Sequence, residues 1–173
     1  MSKPHVFLVG PMGVGKSTIG RLLASELGLP FVDTDRVIEE RTGADIPWIF
    51  DMEGEEGFRL RETNVLSDLC QMRAAVIATG GGIVTQEANI ELMRNHGSVC
   101  YLRASLEQLA ERTARDKKRP LLQVENPREK IAQILMEREP SYTSVANFTV
   151  NTDRHGPKAA VQEILQQLGR SRS

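Results

Sequence analysis

The nine residues GPMGVGKST, at positions 10–18, decide the fold of this chain. They match the pattern G-x-x-x-x-G-K-[ST], in which glycines let successive backbone N–H groups turn inward and surround phosphate oxygens. The apolar run HVFLV at residues 5–9 precedes them, as a buried parallel strand would. Leucine and isoleucine recur at helical spacing over residues 19–27. The stretch therefore predicts a strand, a phosphate-binding loop and a helix whose N-terminus adds partial positive charge.

The loop predicts binding of ATP together with Mg²⁺. Lys16 is expected to reach the β- and γ-phosphates, and the Ser17 hydroxyl is expected to ligate the metal. Thr18 has two equally weighted roles, donation to a phosphate from the first helical turn or packing at the surface. The other candidate residues of the loop are Gly13, Val14 and Gly15. A plain glycine-rich connection is the weaker alternative, because the full pattern and both flanking elements coincide.

Composition limits the classes of partner. The chain has 173 residues, 40% of them hydrophobic, which favours one domain over residues 1–173 with a substantial core. Lys and Arg number 22 against 23 Asp and Glu, for a net charge of −1. This balance provides no general field for nucleic acid or an anionic membrane, so neither partner is expected.

The termini and cysteines predict a compartment. The first strand follows Met1 too closely to leave room for a signal peptide, and no apolar run approaches membrane-spanning length. We therefore expect a cytoplasmic protein. Cys70 and Cys100 lack a C-x-x-C spacing, which predicts buried reduced thiols. No long amphipathic seam suggests more than a monomer.

Strand and helix patterns alternate along the chain. Strands are predicted at residues 5–9, 31–33, 74–79, 98–102 and 148–150. Helices are predicted from near residue 16, and at 36–41, 46–55, 57–69, 87–95, 105–113, 127–139 and 157–168. Pro140 is expected to end the seventh of these helices and Gly169 the last. The alternation predicts an α/β fold, with an open and mostly parallel sheet covered on both faces.

Two aspartates follow the second strand. A phosphate-loop enzyme needs an acidic group near Mg²⁺, and the third predicted strand ends in glycines instead. Asp33 and Asp35, two residues apart in extended chain, would face the same side. We assign Asp33 to the water ligands of the metal and Asp35 to the acceptor hydroxyl, as orienting group or general base. Asp35 can also cap a helix beginning at Arg36, and these two roles are compatible.

Three consecutive glycines follow the third strand: Gly80, Gly81 and Gly82. They cost conformational entropy without contributing packing, so the fold must need bare backbone there. Close approach of a small ligand is the favoured reason. The alternative is a turn with several positive φ angles.

Arginines form the last candidate group, because a planar guanidinium can bind an anionic acceptor through two hydrogen bonds. Arg59 and Arg138 lie in predicted helices near ends that overhang the sheet, although each taken singly fits a solvated face. A basic run precedes Pro120 on a predicted mobile loop that could close over the nucleotide phosphates. Its members are Arg112, Arg115, Lys117, Lys118 and Arg119. The near-neutral net charge disfavours the competing interpretation, a nucleic-acid patch.

Together these motifs resemble the shikimate kinase family of phosphate-loop proteins, nearly from end to end. The resemblance is carried by the phosphate loop and by several short segments. These are DTD at 33–35, GEEGFR at 54–59 followed by Arg61 and Glu62, TGGG at 79–82, RPLL at 119–122, and Arg138 with Pro140 and Tyr142. The phosphate loop alone would indicate only a superfamily, whereas the combination is far narrower.

The resemblance implies a three-layer α/β fold, with an open parallel five-stranded sheet in the order 2-3-1-4-5 as in nucleoside-monophosphate kinases. It implies a core with the phosphate loop at 10–18, a substrate-binding region at about 33–61 and a lid at about 112–125. The implied reaction transfers the γ-phosphoryl group of ATP to the 3-hydroxyl of shikimate, giving shikimate 3-phosphate and ADP. This reaction belongs to the chorismate route to aromatic amino acids.

The resemblance also implies roles for single residues. Asp35, Arg59, Gly81 and Arg138 hold the substrate, with the two arginines on its carboxylate. In the lid, Arg119 reaches the ATP phosphates and acts with Lys16 on the developing charge, whereas Arg112 covers the adenine. Residues 150–157 vary on the adenine side, so His155 is a candidate for either a backbone or a side-chain contact.

Two other classes of function remain open at this point. A kinase for another small acceptor, such as gluconate or a nucleoside monophosphate, would share the phosphate loop. A non-catalytic nucleotide switch would also keep residues 10–17, but it has no reason to combine two aspartates, two arginines and a triple glycine.

Overall fold

The computed structural model describes residues 4–114, 125–153 and 156–172, with side chains described as far as residue 169. Over these ranges the chain forms a parallel five-stranded sheet in the order β2-β3-β1-β4-β5. The strands are β1 (His5–Val9), β2 (Phe31–Asp33), β3 (Val76–Ala78), β4 (Gly97–Arg103) and β5 (Phe148–Asn151). The predicted strand order is confirmed.

Strand β1 lies at the centre of the sheet and is buried along its whole length. Its side chains alternate between the two faces, as successive residues of a strand do. Val6 and Leu8 pack into one apolar cluster. Phe7 and Val9 pack into a second cluster on the opposite face. A fully apolar strand therefore supports a core on each side of the sheet, which produces three layers.

Helices cover both faces. They are α1 (Lys16–Leu27), α2 (Thr34–Thr42), α3 (Ile46–Cys70), α4 (Glu87–His96), α5 (Leu106–Thr113), α6 (Pro127–Val145) and α7 (Pro157–Arg172), with a short 3₁₀ turn at Ile83–Thr85. Buried residues of α1 and α7 join the cluster of Val6 and Leu8. Buried residues of α3 and α4 join the cluster of Phe7 and Val9.

Helix α3 differs from the prediction of two helices at 46–55 and 57–69. It is one element of 25 residues with a kink at Gly54, whose φ of 74° and ψ of 177° are not helical. The break therefore lies at Gly54 rather than after Glu55. A positive φ is strained for residues with a Cβ atom, and glycine accepts it.

Helix α6 also differs, because it continues through Pro140 to Val145. The predicted end at residue 139 is wrong. The residues beyond the proline bury against the sheet, with Tyr142 at 0% and Val145 at 3% exposure. This packing outweighs the hydrogen bond that proline cannot donate.

Helix α7 passes Gly169 and ends at Arg172, so the predicted stop at Gly169 is wrong. Glycine ends a helix when it adopts a left-handed conformation. Gly169 is not among the glycines with positive φ, and a Cβ atom on it would meet none of the described atoms within 4 Å.

The two cysteines agree with the sequence. Cys70 and Cys100 are buried free thiols. Burial raises the pKa of Cys70 to about 11 and also raises that of Cys100. As for membrane spans, the described helices include none that is both long and apolar enough to cross a bilayer.

The packing of α1 on β2 yields a stability prediction. A Cβ atom on Gly20 would lie 2.5 Å from Phe31 Cε1 and 3.2 Å from Leu8 Cδ1. Gly20→Ala should lower the free energy of unfolding by about 1–2 kcal/mol, because the clash exceeds the gain in helix propensity. Gly169→Ala is the matched control, since a Cβ there would meet none of the described atoms within 4 Å. The control should raise stability by up to about 1 kcal/mol. Urea unfolding of both variants checks the opposite signs, and a stabilised Gly20→Ala would contradict the tight packing.

Candidate active site

The loop between β1 and α1 has the backbone that a phosphate cradle requires. Gly13 and Gly15 have φ angles of +83° and +101°, which residues with a side chain rarely adopt. Gly15 is the N-cap residue of α1, and none of the described side chains caps this end of the helix. The first turn of α1 also contains no acidic residue. The helix N-terminus therefore presents its N–H groups and partial positive charge to an anion.

A pocket of about 210 Å³ lies against this loop. Lys16 lies in its wall, and its Nζ donates to the carbonyl oxygens of Gly10 at 2.6 Å and Pro11 at 3.0 Å. The pocket wall also contains Gly13, Gly15, Ser17, Thr18, Asp33, Asp35, Gly80 and Gly81. The carboxyl ends of β1, β2 and β3 thus contribute to one cavity, as the parallel sheet predicts.

Asp33 connects two helix termini at this cavity. Ser17 Oγ donates to Asp33 Oδ2 at 2.9 Å, and Asp33 Oδ1 accepts from the backbone N–H of Asp35 at 3.0 Å. A second, longer bond of 3.5 Å comes from the N–H of Arg36. Asp33 is therefore the N-cap of α2, which begins at Thr34.

This geometry corrects the interpretation of Asp35. Asp35 lies in the first turn of α2, so the extended two-residue spacing expected for the aspartates is wrong. The alternative that Asp35 caps the helix is also wrong, because Asp33 has that position. Both aspartates nevertheless line the same pocket.

The triple glycine makes room for site side chains. A Cβ atom on Gly80 would lie 2.7 Å from Glu62 Oε2 and 2.8 Å from Asp35 Oδ1. A Cβ on Gly82 would overlap the guanidinium of Arg59. None of the three glycines is among those with positive φ, so the alternative of a turn with several positive φ angles is wrong. The bare backbone is needed because charged side chains approach it closely.

Two arginines approach this run from different helices. Arg59 of α3 is 7% exposed and Arg138 of α6 is 8% exposed. The interpretation of each as part of a solvated face is wrong. A Cβ on Gly81 would lie 3.6 Å from Arg138 Nη1. Helix α6 continues past Arg138 to Tyr142, whose hydroxyl donates to the Gly81 carbonyl.

Arg59 is held by two glutamates of its own helix. Its Nη1 donates to Glu62 Oε1 at 3.0 Å, and its Nη2 donates to Glu55 Oε2 at 3.1 Å. These are the i,i+3 and i,i−4 positions that share a helix face. These two charge-assisted bonds orient the guanidinium from within its own helix.

Glu62 is a site residue to which the sequence assigned no role. It is fully buried, and its burial raises its pKa to about 7 from 4.5. The attraction of Arg59 lowers that pKa, the charge of Asp35 raises it, and Arg138 lowers it. A signal existed in the sequence: Glu62 falls four residues after Phe58 and four before Leu66, on the apolar face of its helix.

Arg112 contacts the phosphate loop. Its Nη1 donates to the carbonyl oxygens of Gly13 and Val14, at 3.1 Å each. Arg119 and His155, the other candidates from this side of the fold, lie outside the described residues, as does most of the predicted lid. Thr18 is exposed at the pocket wall.

A phosphate loop, carboxylates at the end of the neighbouring strand and two buried arginines define a phosphate-loop kinase of the small-molecule type. The family model described as Shikimate kinase matches residues 12–169. The chain belongs to the shikimate kinase family.

Individual relatives agree with this assignment. A shikimate kinase of Vibrio parahaemolyticus is 55% identical over 166 residues, which cover 96% of each chain. One of Pseudomonas paraeruginosa is 54% identical over 164 residues, which cover 95% of each. Among solved structures, a shikimate kinase from Acinetobacter baumannii in complex with shikimate has a TM-score of 0.95 and 50% identity. That match covers 98% of this chain and 94% of the other.

The buried carboxyl of Glu62 predicts a pH-dependent stability. Its pKa is raised on folding, so its contribution to the free energy of unfolding is largest below about pH 4.5 and is lost as pH rises through about 7. The loss should reach up to about 3 kcal/mol. Glu62→Gln cannot titrate and should lack this loss.

Urea unfolding at about pH 5 and about pH 7.5 measures the difference. Only the change with pH is compared, because Glu62→Gln also alters the hydrogen bonding of Arg59 at both values. Glu56→Gln, on the exposed side of the same helix, is the control and should follow the wild type. Parallel pH dependence of wild type and Glu62→Gln would contradict the raised pKa.

Proposed function

We propose that the chain transfers the γ-phosphoryl group of ATP to the 3-hydroxyl of shikimate, giving shikimate 3-phosphate and ADP. The reaction is a step of aromatic amino-acid biosynthesis. The observation that carries the proposal is the pair of buried arginines, Arg59 and Arg138, beside the phosphate pocket. Two guanidinium groups next to a phosphate loop fit an acceptor that itself carries an anionic group.

The acceptor is bound, on this proposal, against the triple glycine. Arg59 and Arg138 grip its carboxylate, and Asp35 faces its reacting hydroxyl. Gly80, Gly81 and Gly82 allow the ring to approach the backbone. The solved relative with shikimate bound supports this assignment, because it superposes on nearly the whole chain.

The donor is bound by the phosphate loop. The N–H groups of residues 13–18, with Lys16, hold the β- and γ-phosphates of ATP. Lys16 lies at the pocket wall, where its ammonium can stabilise the negative charge that develops on the transferred phosphoryl group. Thr18, exposed at the same wall, donates a hydrogen bond to a phosphate from the first turn of α1.

The residues present also fit a magnesium ion. Ser17 Oγ and Asp33 Oδ2 are 2.9 Å apart at the pocket, and hydroxyl and carboxylate oxygens are the donors Mg²⁺ prefers. Ser17 would ligate the ion directly and Asp33 would act through its water ligands. When bound, the ion neutralises phosphate charge and orients the phosphoryl group.

Catalysis on this proposal is mostly positioning and charge stabilisation. Asp35 orients the acceptor hydroxyl and accepts its proton. Arg59 is fixed by Glu62 and Glu55, so little ordering remains when the carboxylate binds. Burial of both arginines keeps their charge in a poorly hydrated environment, where it acts more strongly on an anion.

Further roles extend the proposal. Arg119 acts on the phosphates from a lid at about 112–125, Arg112 covers the adenine, and His155 lies on the adenine side. The core carries the loop at 10–18 and the substrate region spans about 33–61, within one domain of residues 1–173. The two buried free thiols favour a reducing compartment, so we place the protein in the cytoplasm, as a monomer without nucleic-acid or membrane partners.

The test of function is phosphoryl transfer with ATP and Mg²⁺ to shikimate, with gluconate and AMP run in parallel and the product identified by phosphorus NMR. We expect shikimate 3-phosphate and no transfer to the other two acceptors. Preferential transfer to gluconate or AMP would replace the proposed acceptor. ATP binding without transfer to any acceptor would support the nucleotide switch instead.

Asp35→Asn tests the proposed base. Turnover should fall by about 10²–10⁴-fold because the amide cannot accept the proton, while ATP affinity stays at the wild-type value. Asp51→Asn, an exposed aspartate of α3, is the control and should keep full turnover. Steady-state kinetics and calorimetric ATP binding measure the two effects. Loss of ATP affinity in Asp35→Asn would indicate a metal role instead.

Arg138→Lys tests the proposed carboxylate grip. Lysine keeps the charge but loses the planar pair of donors, so the KM for shikimate should rise about 10–100-fold. The KM for ATP should not change. Arg73→Lys, at an exposed position, is the control. Equal increases in both KM values would identify Arg138 as a structural arginine.

A further inference from the structure

Arg112 makes contacts that the proposed function does not use. Its guanidinium donates to two successive carbonyl oxygens of the phosphate loop, those of Gly13 and Val14. From these hydrogen bonds we infer that Arg112 is a positioning residue of the phosphate loop, which holds its backbone in the phosphate-binding conformation. The inference rests on the proposed function only in that the loop binds the phosphates of ATP.

The peptide geometry explains how such a bond acts. In a trans peptide the C=O and N–H groups point in opposite directions. When Arg112 holds the carbonyl of Val14, the N–H of Gly15 in the same peptide must point away from α5. Gly13 and Gly15 both line the phosphate pocket, so the loop segment that Arg112 bonds also faces that cavity. By its hydrogen bond to the Val14 carbonyl, the guanidinium therefore sets the direction of the Gly15 N–H group.

The backbone that carries Arg112 is fixed independently of the loop. Helix α5 is capped by Ser105, whose side chain accepts from the N–H of Gln108 at 3.3 Å. The N–H of Ser105 donates to both carboxylate oxygens of Asp153, at 3.0 Å each. Leu109 anchors the middle of the helix in the core at 0% exposure. The start and the middle of α5 are thus tied to the rest of the fold independently of the loop, and they support its last turn.

This support touches the loop directly. A Cβ atom on Gly13 would lie 2.8 Å from Thr113 Cγ2 and 3.5 Å from the Cβ of Arg112. Thr113 is itself buried, and its hydroxyl donates to the carbonyl of Leu109 at 2.7 Å. Gly13 is therefore required for close packing as well as for its positive φ. Arg112 also lies in the last turn of α5, where the helix dipole favours a cation.

The first experiment uses the full chain without nucleotide. Amide chemical shifts and order parameters of Gly13, Val14 and Gly15 are measured by NMR in the wild type and in Arg112→Ala. The inference predicts shifted resonances and lower order parameters for these three amides. Arg128→Ala is the control. Arg128 is an exposed arginine of α6 that forms an ion pair with Glu107 of α5, the helix that carries Arg112. Unchanged loop amides in Arg112→Ala would overturn the inference.

The second experiment separates the loop from the adenine. Magnesium tripolyphosphate offers phosphates to the loop but has no base, and calorimetry compares its affinity with that of ATP. Arg112→Ala should weaken binding of tripolyphosphate about tenfold, and it should weaken binding of ATP by at least that factor because the proposed function also places Arg112 over the adenine. A loss confined to ATP would place Arg112 on the base, and would overturn the inference. A loss for tripolyphosphate with unmoved loop amides would indicate a direct contact with phosphate, and would overturn it as well.

Steady-state kinetics complete the test. The KM for ATP should rise in Arg112→Ala while the KM for shikimate stays constant, which a general loss of folding would not produce. Neither binding experiment requires shikimate. A wild type that binds tripolyphosphate but does not phosphorylate shikimate would therefore contradict the proposed function and leave the inference standing on the NMR result.

Discussion

The carbonyl of Leu8 accepts two hydrogen bonds from Thr79, one from the backbone N–H at 3.1 Å and one from the hydroxyl at 2.8 Å. This pair of hydrogen bonds between the ends of β1 and β3 places the triple glycine directly beside the phosphate loop. The regions proposed to bind the phosphoryl acceptor and ATP therefore lie at the ends of two neighbouring strands. Within the described part of the chain, no flexible connection separates them. The pairing of β3 with β2 then brings the aspartates to the same edge.

Burying charged side chains at that edge of the sheet costs free energy, and close pairing of opposite charges offsets this cost. Arg59, Glu62 and Arg138 are all nearly or fully buried, and each would be costly to bury alone. Glu62 lies between opposing influences, since burial and Asp35 favour its neutral form whereas the two arginines favour the carboxylate. Such a cluster adds little to stability in comparison with apolar packing, but it holds Arg59 in one orientation. Side chains of the same cluster lie within 3 Å of where a Cβ atom on Gly80 or Gly82 would be, so a larger residue there would displace them.

The sequence predicted the elements that depend on local pattern. The apolar run of β1, the phosphate loop and the periodic helix α1 lie where expected, because each signal is contained in a few neighbouring residues. The errors occur where distant packing decides. Helix α6 passes Pro140 because Tyr142 and Val145 are buried beyond it, and α7 passes Gly169 because that glycine does not adopt a left-handed conformation. The buried state of Arg59 and Arg138 was equally invisible, since each arginine alone resembles a surface residue.

The sequence by itself determined the phosphate loop from a short motif, and through the family resemblance it gave the expected strand order and the candidate site residues. Only the tertiary structure decided how the residues meet: that Asp33 and not Asp35 caps α2, that Glu62 belongs to the site, and that Arg112 grips the loop. The reason is distance along the chain. Arg112 and Gly13 are 99 residues apart in sequence, and no local pattern records a hydrogen bond that forms only when the sheet brings α5 against the loop.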